Sequence, residues 1–118
     1  MYPKMIKVRQ TFFTQKVEDV SSATEREILR LQLGSRIRTG DTVAVTAGSR
    51  GISEIASITR TVVHVLKGMG AEPFIVPAMG SHGGATAQGQ IEVLARYGIR
   101  EASMAYLSCP QWMWWIWE

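Results

Sequence analysis

Cysteine is almost missing from this sequence: Cys109 is the single thiol in 118 residues. One thiol excludes an internal disulfide and the usual four-ligand zinc arrangements. Histidine is nearly as scarce, with only His64 and His82, and neither stands at ligand spacing from the scattered carboxylates. That argues against a metal site built by these residues. No apolar run of the secretory-signal kind opens the chain, and the apolar run that closes it is about half the ~20 residues a membrane helix needs. The 13 Lys and Arg against 10 Asp and Glu leave a formal net charge of +3, but they form no basic runs and no basic–aromatic interleaving. A nucleic-acid surface is therefore not expected, although the mild positive bias suits an anionic small molecule. The expectation is a soluble, cytoplasmic protein that engages neither a membrane nor a nucleic-acid polymer.

What is present is ordinary for one globular domain, with 46% hydrophobic and 19% charged residues. Eleven glycines gather at turns rather than forming a repeat. The stretch KMIKVRQTF alternates as a first strand would. SSATEREILRLQL then opens with a capping box, Ser22 at the cap and Glu25 reaching back, and its Ile28, Leu29 and Leu33 predict a short amphipathic helix ending near Gly34. From residue 42 the pattern is regular. TVAVTA predicts a strand, GSRG a loop, and ISEIASITRTVVHVLKGMG a helix with Ile52, Ile55, Ile58, Val62, Val65 and Leu66 on one face and Gly70 as its stop. PFIVPAM is the next strand, GSHGGAT the next loop, and TAQGQIEVLARYG a helix with Thr86 as N-cap and Gly98 as stop.

Strand, loop, helix repeated twice makes an α/β fold with parallel strands, and both glycine loops then emerge at the carboxyl ends of neighbouring strands. That edge is where open α/β sheets bind ligands, so Arg50 and His82 are expected at one crevice. The AGSRGIS loop reads as an anion site: Gly48 and Gly51 let backbone approach a ligand, Ser49 offers a hydroxyl, Arg50 a guanidinium fork, and the following helix its unpaired N–H groups. A tight turn with a solvated Arg explains the same residues. His82, flanked by Gly80, Gly83 and Gly84, is the candidate proton acceptor, with a histidine bonded to its own loop as the alternative. His64, between Val63 and Val65, reads as structural or solvated. Ser49 or Ser81 with His82 lacks a nucleophile-elbow pattern and an orienting acid.

The segments AVTAGSRGI, with Ile55 and Ile58 following, and GAEPFIVPAMGSHGGATA, with GQ, Glu92, Leu94 and YGI following, resemble the N-terminal domain of the nickel-dependent lactate racemase family over roughly residues 5–104. The resemblance implies a racemase or epimerase of 2-hydroxy acids that uses a nickel-pincer nucleotide. In that chemistry the cofactor accepts a hydride from C2 while a histidine takes the hydroxyl proton. His82 matches the first of two catalytic histidines, and the family's nucleotide-holding segment falls on Ala47, Gly48, Ser49 and Arg50, with Ala47 standing where the family has an acid. The second histidine, the cofactor-anchoring lysine, the nickel-ligand histidine and a second domain are implied beyond residue 118, so these residues alone are expected to be inactive. The domain expectation is an incomplete N-terminal domain over 1–104, with a small, mostly parallel sheet, flanking helices and an exposed last sheet edge. A phosphate- or nucleotide-binding module without catalysis, and a non-functional gene fragment, are the other readings.

The ending SCPQWMWWIWE holds all four tryptophans. Trp and Met have one codon each, so QWMWWIWE constrains its own DNA, and a one-base shift permits (Met or Val)-Asp-Val-Val-Asp-(Met or Leu)-Gly. Extended back to Met104, the shifted phase permits MGVPIMSSMDVVDMG, which resembles the family's continuation after YGI. Residues 105–118 are accordingly read as an out-of-frame tail produced by one lost base. A genuine Trp-rich terminus docking on the sheet or on a partner is the alternative.

Overall fold

The computed structural model describes residues 3–13, 16–49 and 51–100. Arg50 and the tail after residue 100, including the expected boundary at 104, lie outside them. Helix α1 spans Val20–Arg30, strand β1 Thr42–Ala47, helix α2 Ile55–Gly68, strand β2 Glu72–Pro77 and helix α3 Ala87–Arg96. β1 and β2 pair in parallel, from Thr42 opposite Glu72 to Ala47 opposite Pro77. This is the expected partial α/β architecture, and the α2 crossover supplies the connection that a parallel pair requires.

The register is anchored at both ends. Gly40 N–H donates to the Gly70 carbonyl at 2.8 Å and Glu72 N–H to Asp41 O at 2.8 Å, while Ala78 N–H donates to Ala47 O at 2.8 Å beyond the last pair. Because N–H groups alternate sides along a strand, Glu72 and Ala78 facing β1 put Pro73 and Pro77 on the parity that faces away. The outer edge of β2 therefore lacks two of its donors. This blunts the association expected of an exposed sheet edge.

One hydrophobic cluster joins the layers: Ala47, Val63, Ile75, Leu94 and Ile99, with Ile55, Ala56 and Met79 packed against it. On α2 the buried positions are Thr59, Val63, Val65 and Leu66. Of the expected face, Ile55 packs on the core and Val65 and Leu66 are buried, while Thr59 and Val63 take the place of Ile58 and Val62, because α2 is covered on one side by the sheet and contacts α1 as well. Thr59 is tolerated there because its hydroxyl donates to Ile55 O at 2.7 Å. Ile52 lies before the helix and is exposed. His64 is exposed on α2, as a solvated residue would be.

Both later helices stop by the same device. Ala71 N–H reaches back to Leu66 O at 3.1 Å and Ile99 N–H to Leu94 O at 3.0 Å, closing each last turn around a glycine, Gly70 or Gly98, whose φ is +85°. The residue after the glycine packs with the residue it bonds: Ile99 and Leu94 are both 0% exposed. Thr86 caps α3 by accepting from Gly89 N–H at 3.1 Å, as its sequence position predicts.

The first third of the chain departs from expectation. Residues 3–13 form no strand, and Met5, Ile6, Val8, Phe12 and Phe13 are exposed. α1 is capped by Asp19, not by a Ser22–Glu25 box: one Asp19 oxygen accepts from Ser22 N–H at 3.0 Å and the other from Ser22 Oγ at 2.6 Å. A carboxylate so placed outcompetes the serine, and the two Ser22 hydrogen bonds, the hydroxyl's foremost, hold the Asp19 carboxyl below its ordinary pKa. The helix ends at Arg30, and Gln32 turns left-handed before a 3₁₀ turn at Leu33–Ser35. Among the described residues no helix is long and apolar enough to cross a membrane.

Candidate functional site

The two glycine loops leave the carboxyl ends of β1 and β2 side by side, and they meet through side chains. Ser49 Oγ lies 2.5 Å from His82 Nδ1, a part-buried hydrogen bond between residues 33 positions apart. β1 places Ser49 two residues past its last pair. β2 is followed by Ala78 to Ser81, which carry the chain round to His82.

Each loop is fixed from α3. The Tyr97 hydroxyl donates to Ser49 O at 2.9 Å, and the Gln90 amide donates to Gly80 O at 2.7 Å. The His82 loop also presses directly on the first turn of α3. Gly83 has φ +63°, and a Cβ built there would stand 2.3 Å from Gly89 carbon, while a Cβ on Gly89 would meet the Gly83 carbonyl. Two glycines facing each other allow the backbones to approach where any side chain would wedge them apart. The Thr86 hydroxyl completes the junction by donating to Gly83 O at 3.1 Å. Gly83, Gly84 and Ala85 are successively left-handed, which folds the residues after His82 into a compact left-handed turn.

The residues proposed to hold a nucleotide fare differently. Ala47 is 4% exposed: its methyl belongs to the core and its carbonyl accepts from Ala78, so it has nothing to offer a ligand. Gly48 is half-buried beside Ala78 O, Ser49 is engaged by His82 and Tyr97, and Arg50 lies outside the described residues. α2 does not begin at the loop. It starts at Ile55 after a left-handed Glu54 with φ +58°, and the Glu54 carboxylate accepts from Ser57 Oγ at 3.1 Å. An acidic group thus occupies the helix N-terminus that was expected to attract an anion. Among the described residues no cluster of three or more His, Cys, Asp or Glu could hold a metal.

What the two loops do build among the described residues is a hydrogen-bonded serine–histidine pair. Two open hollows elsewhere, one over Ser22 to Arg30 of α1 and one between Lys16–Ser21 and Glu54, do not include Ser49 or His82. The Ser49–His82 pair is consequently a feature of the sheet end rather than of either hollow. The loop position and glycine content of His82 signalled it in the sequence, whereas Tyr97 and Gln90 carried no signal beyond lying near the end and in the first turn of a helix.

No family model, curated protein or solved structure matches the chain at a significant level.

Proposed function

We propose that this chain is the His82-bearing portion of a 2-hydroxy acid racemase or epimerase of the nickel-pincer-dependent lactate racemase type. The observation that carries the reading is the contact of Ser49 Oγ with His82 Nδ1 at 2.5 Å, at the carboxyl ends of adjacent parallel strands. It adds a spatial reason to the sequence resemblance, which rests on the same two loops. A histidine oriented by a hydroxyl at the ligand-binding edge of a parallel sheet is suited to exchange a proton with a substrate hydroxyl.

In this role His82 accepts the proton of the C2 hydroxyl as the C–O bond gains carbonyl character, and returns it when the alcohol is re-formed. The hydride from C2 needs an acceptor that the described residues do not provide. The nucleotide contacts proposed for Ala47 to Arg50 narrow accordingly to the backbone of Gly48 and to Arg50. The Glu54 carboxylate at the start of α2 disfavours the alternative of a simple phosphate-binding module.

Two measurements test the reading. Resequencing the gene after the Met104 codon and translating the shifted phase is expected to reveal an open frame with further Lys and His motifs. An immediate stop in that phase would remove the enzyme as proposed. The protein translated from that frame, loaded with the nickel cofactor, is expected to interconvert the enantiomers of a 2-hydroxy acid on chiral chromatography. Replacing His82 by Ala should lower turnover by about 10²–10⁴-fold, the usual worth of a positioned acid–base group. Unchanged turnover in that variant would sink the catalytic role.

A further inference from the structure

We infer that Ser49 is a positioning residue for His82, holding the imidazole in the tautomer with its hydrogen on Nδ1 so that proton exchange with a ligand runs through Nε2. The pairing of the two side chains stands on the 2.5 Å contact, and the direction of the bond rests on the proposed proton-acceptor role. Which ring nitrogen of a neutral histidine carries the hydrogen is set by the hydrogen bond made at the other. A hydroxyl can either donate to Nδ1 or accept from it. Only the second arrangement leaves Nε2 as the basic nitrogen, as a proton acceptor requires.

The geometry around Ser49 suits a fixed acceptor. Its backbone is tied to α3 by the Tyr97 phenol, which donates to Ser49 O at 2.9 Å. The residue is half-buried, and its bond to His82 is part-buried. On the other side, the Gly83–Gly89 approach and the Gln90 bond to Gly80 O hold the backbone that carries His82. Both partners are thus placed by α3, one through each loop.

A nucleophilic role for Ser49 is the competing chemistry, since a serine beside a histidine is also the start of an acyl-transfer site. A nucleophile elbow holds its serine in a strained turn. Ser49 is not among the described non-glycine residues with positive φ, which are Gln32, Glu54 and Ala85. The backbone conformation therefore favours positioning.

The chain contains only two histidines, so ¹⁵N labelling of histidine in the 118-residue protein gives two imidazoles, and exposed His64 serves as the internal reference. At a pH where both rings are neutral, His82 is expected to show its hydrogen on Nδ1, with His64 showing the Nε2–H form favoured in water. Ser49→Ala should convert His82 to the His64 pattern, and Ser49→Thr, which keeps the hydroxyl, should retain the Nδ1–H signature. Circular dichroism and amide dispersion establish that each variant is folded. Should Ser49→Ala fail to fold, the wild-type and Ser49→Thr spectra still decide the matter. Hydrogen on Nε2 of His82 in the wild type, or an unchanged pattern in folded Ser49→Ala, would overturn the inference, as would covalent labelling of Ser49 by a fluorophosphonate. None of these readouts depends on turnover, so the proposed reaction and the positioning role can fail separately.

Discussion

Residues 3–13 and residues 42–47 carry similar patterns, alternating apolar and polar side chains, and they end in opposite states. The first stretch leaves Met5 96% and Phe13 97% exposed, while the second becomes β1 and delivers Ala47 to the core. Alternation states that a segment could form a half-buried strand; it does not supply a partner. β1 has one because α2 returns the chain beside it and Asp41, Gly40 and Ala47 fix the register with β2. The N-terminal segment has no such return within the described residues. β-structure is a relation between segments, and only one of these two has its relation encoded nearby.

The contrast should be visible in stability. Ile75, 1% exposed and in the central cluster, should be the most sensitive position: Ile75→Ala is expected to cost about 2–5 kcal/mol by denaturant unfolding, from lost burial and a residual cavity. A loss below the size of one buried methylene would mean that the parallel unit is not the stabilising core. Gly83→Ala should come next. Its left-handed backbone alone costs ~1–2 kcal/mol for an L-residue, and the new methyl must also push the His82 loop from α3. That variant should lose stability and also the Nδ1 signature of His82, and retention of both would show that the close glycine approach is dispensable.

A smaller effect separates α1 from the rest. The Asp19 carboxyl is held below its ordinary pKa by the Ser22 hydroxyl and then by the Ser22 N–H, so its contribution is present above the unfolded value of about 3.9 and is lost as pH falls through the lower folded value. Helicity followed by circular dichroism in acid should show α1 fraying first, and Asp19→Asn should flatten that dependence. Identical acid profiles for the two proteins would remove the cap from the account. The smallest expected effect is in the N-terminal segment: Phe13→Ser should leave the unfolding free energy within ~0.5 kcal/mol, as for a surface substitution without partners. A larger loss would show that the segment is covered in solution.

Features encoded within a few residues were readable in advance. Gly70 and Gly98 end helices where the sequence puts them, Thr86 caps α3, and β1 occupies the six residues of TVAVTA. Each depends on neighbours within one turn. The start of α2 was misread because Glu54 adopts a left-handed conformation that no propensity assigns to glutamate, and the start of α1 because Asp19 and Ser22 are both good caps and the carboxylate took the position. The candidate site was half legible. Loop position brought the Ser49 and His82 loops to one edge, but the Ser49 to His82 bond, the Tyr97 tie to Ser49 48 residues away and the burial of Ala47 depend on side chains distant in sequence.

The sequence by itself determined the order of elements from residue 42 onward, the places where α2 and α3 stop and the end of the sheet at which the two loops emerge, because periodicity, capping and glycine act through local backbone. Tertiary structure alone decided which loop groups face each other. Packing of α3 against β2 and the left-handed turn of the His82 loop brings Tyr97, Ser49 and His82 together, and no local rule contains the distance between them.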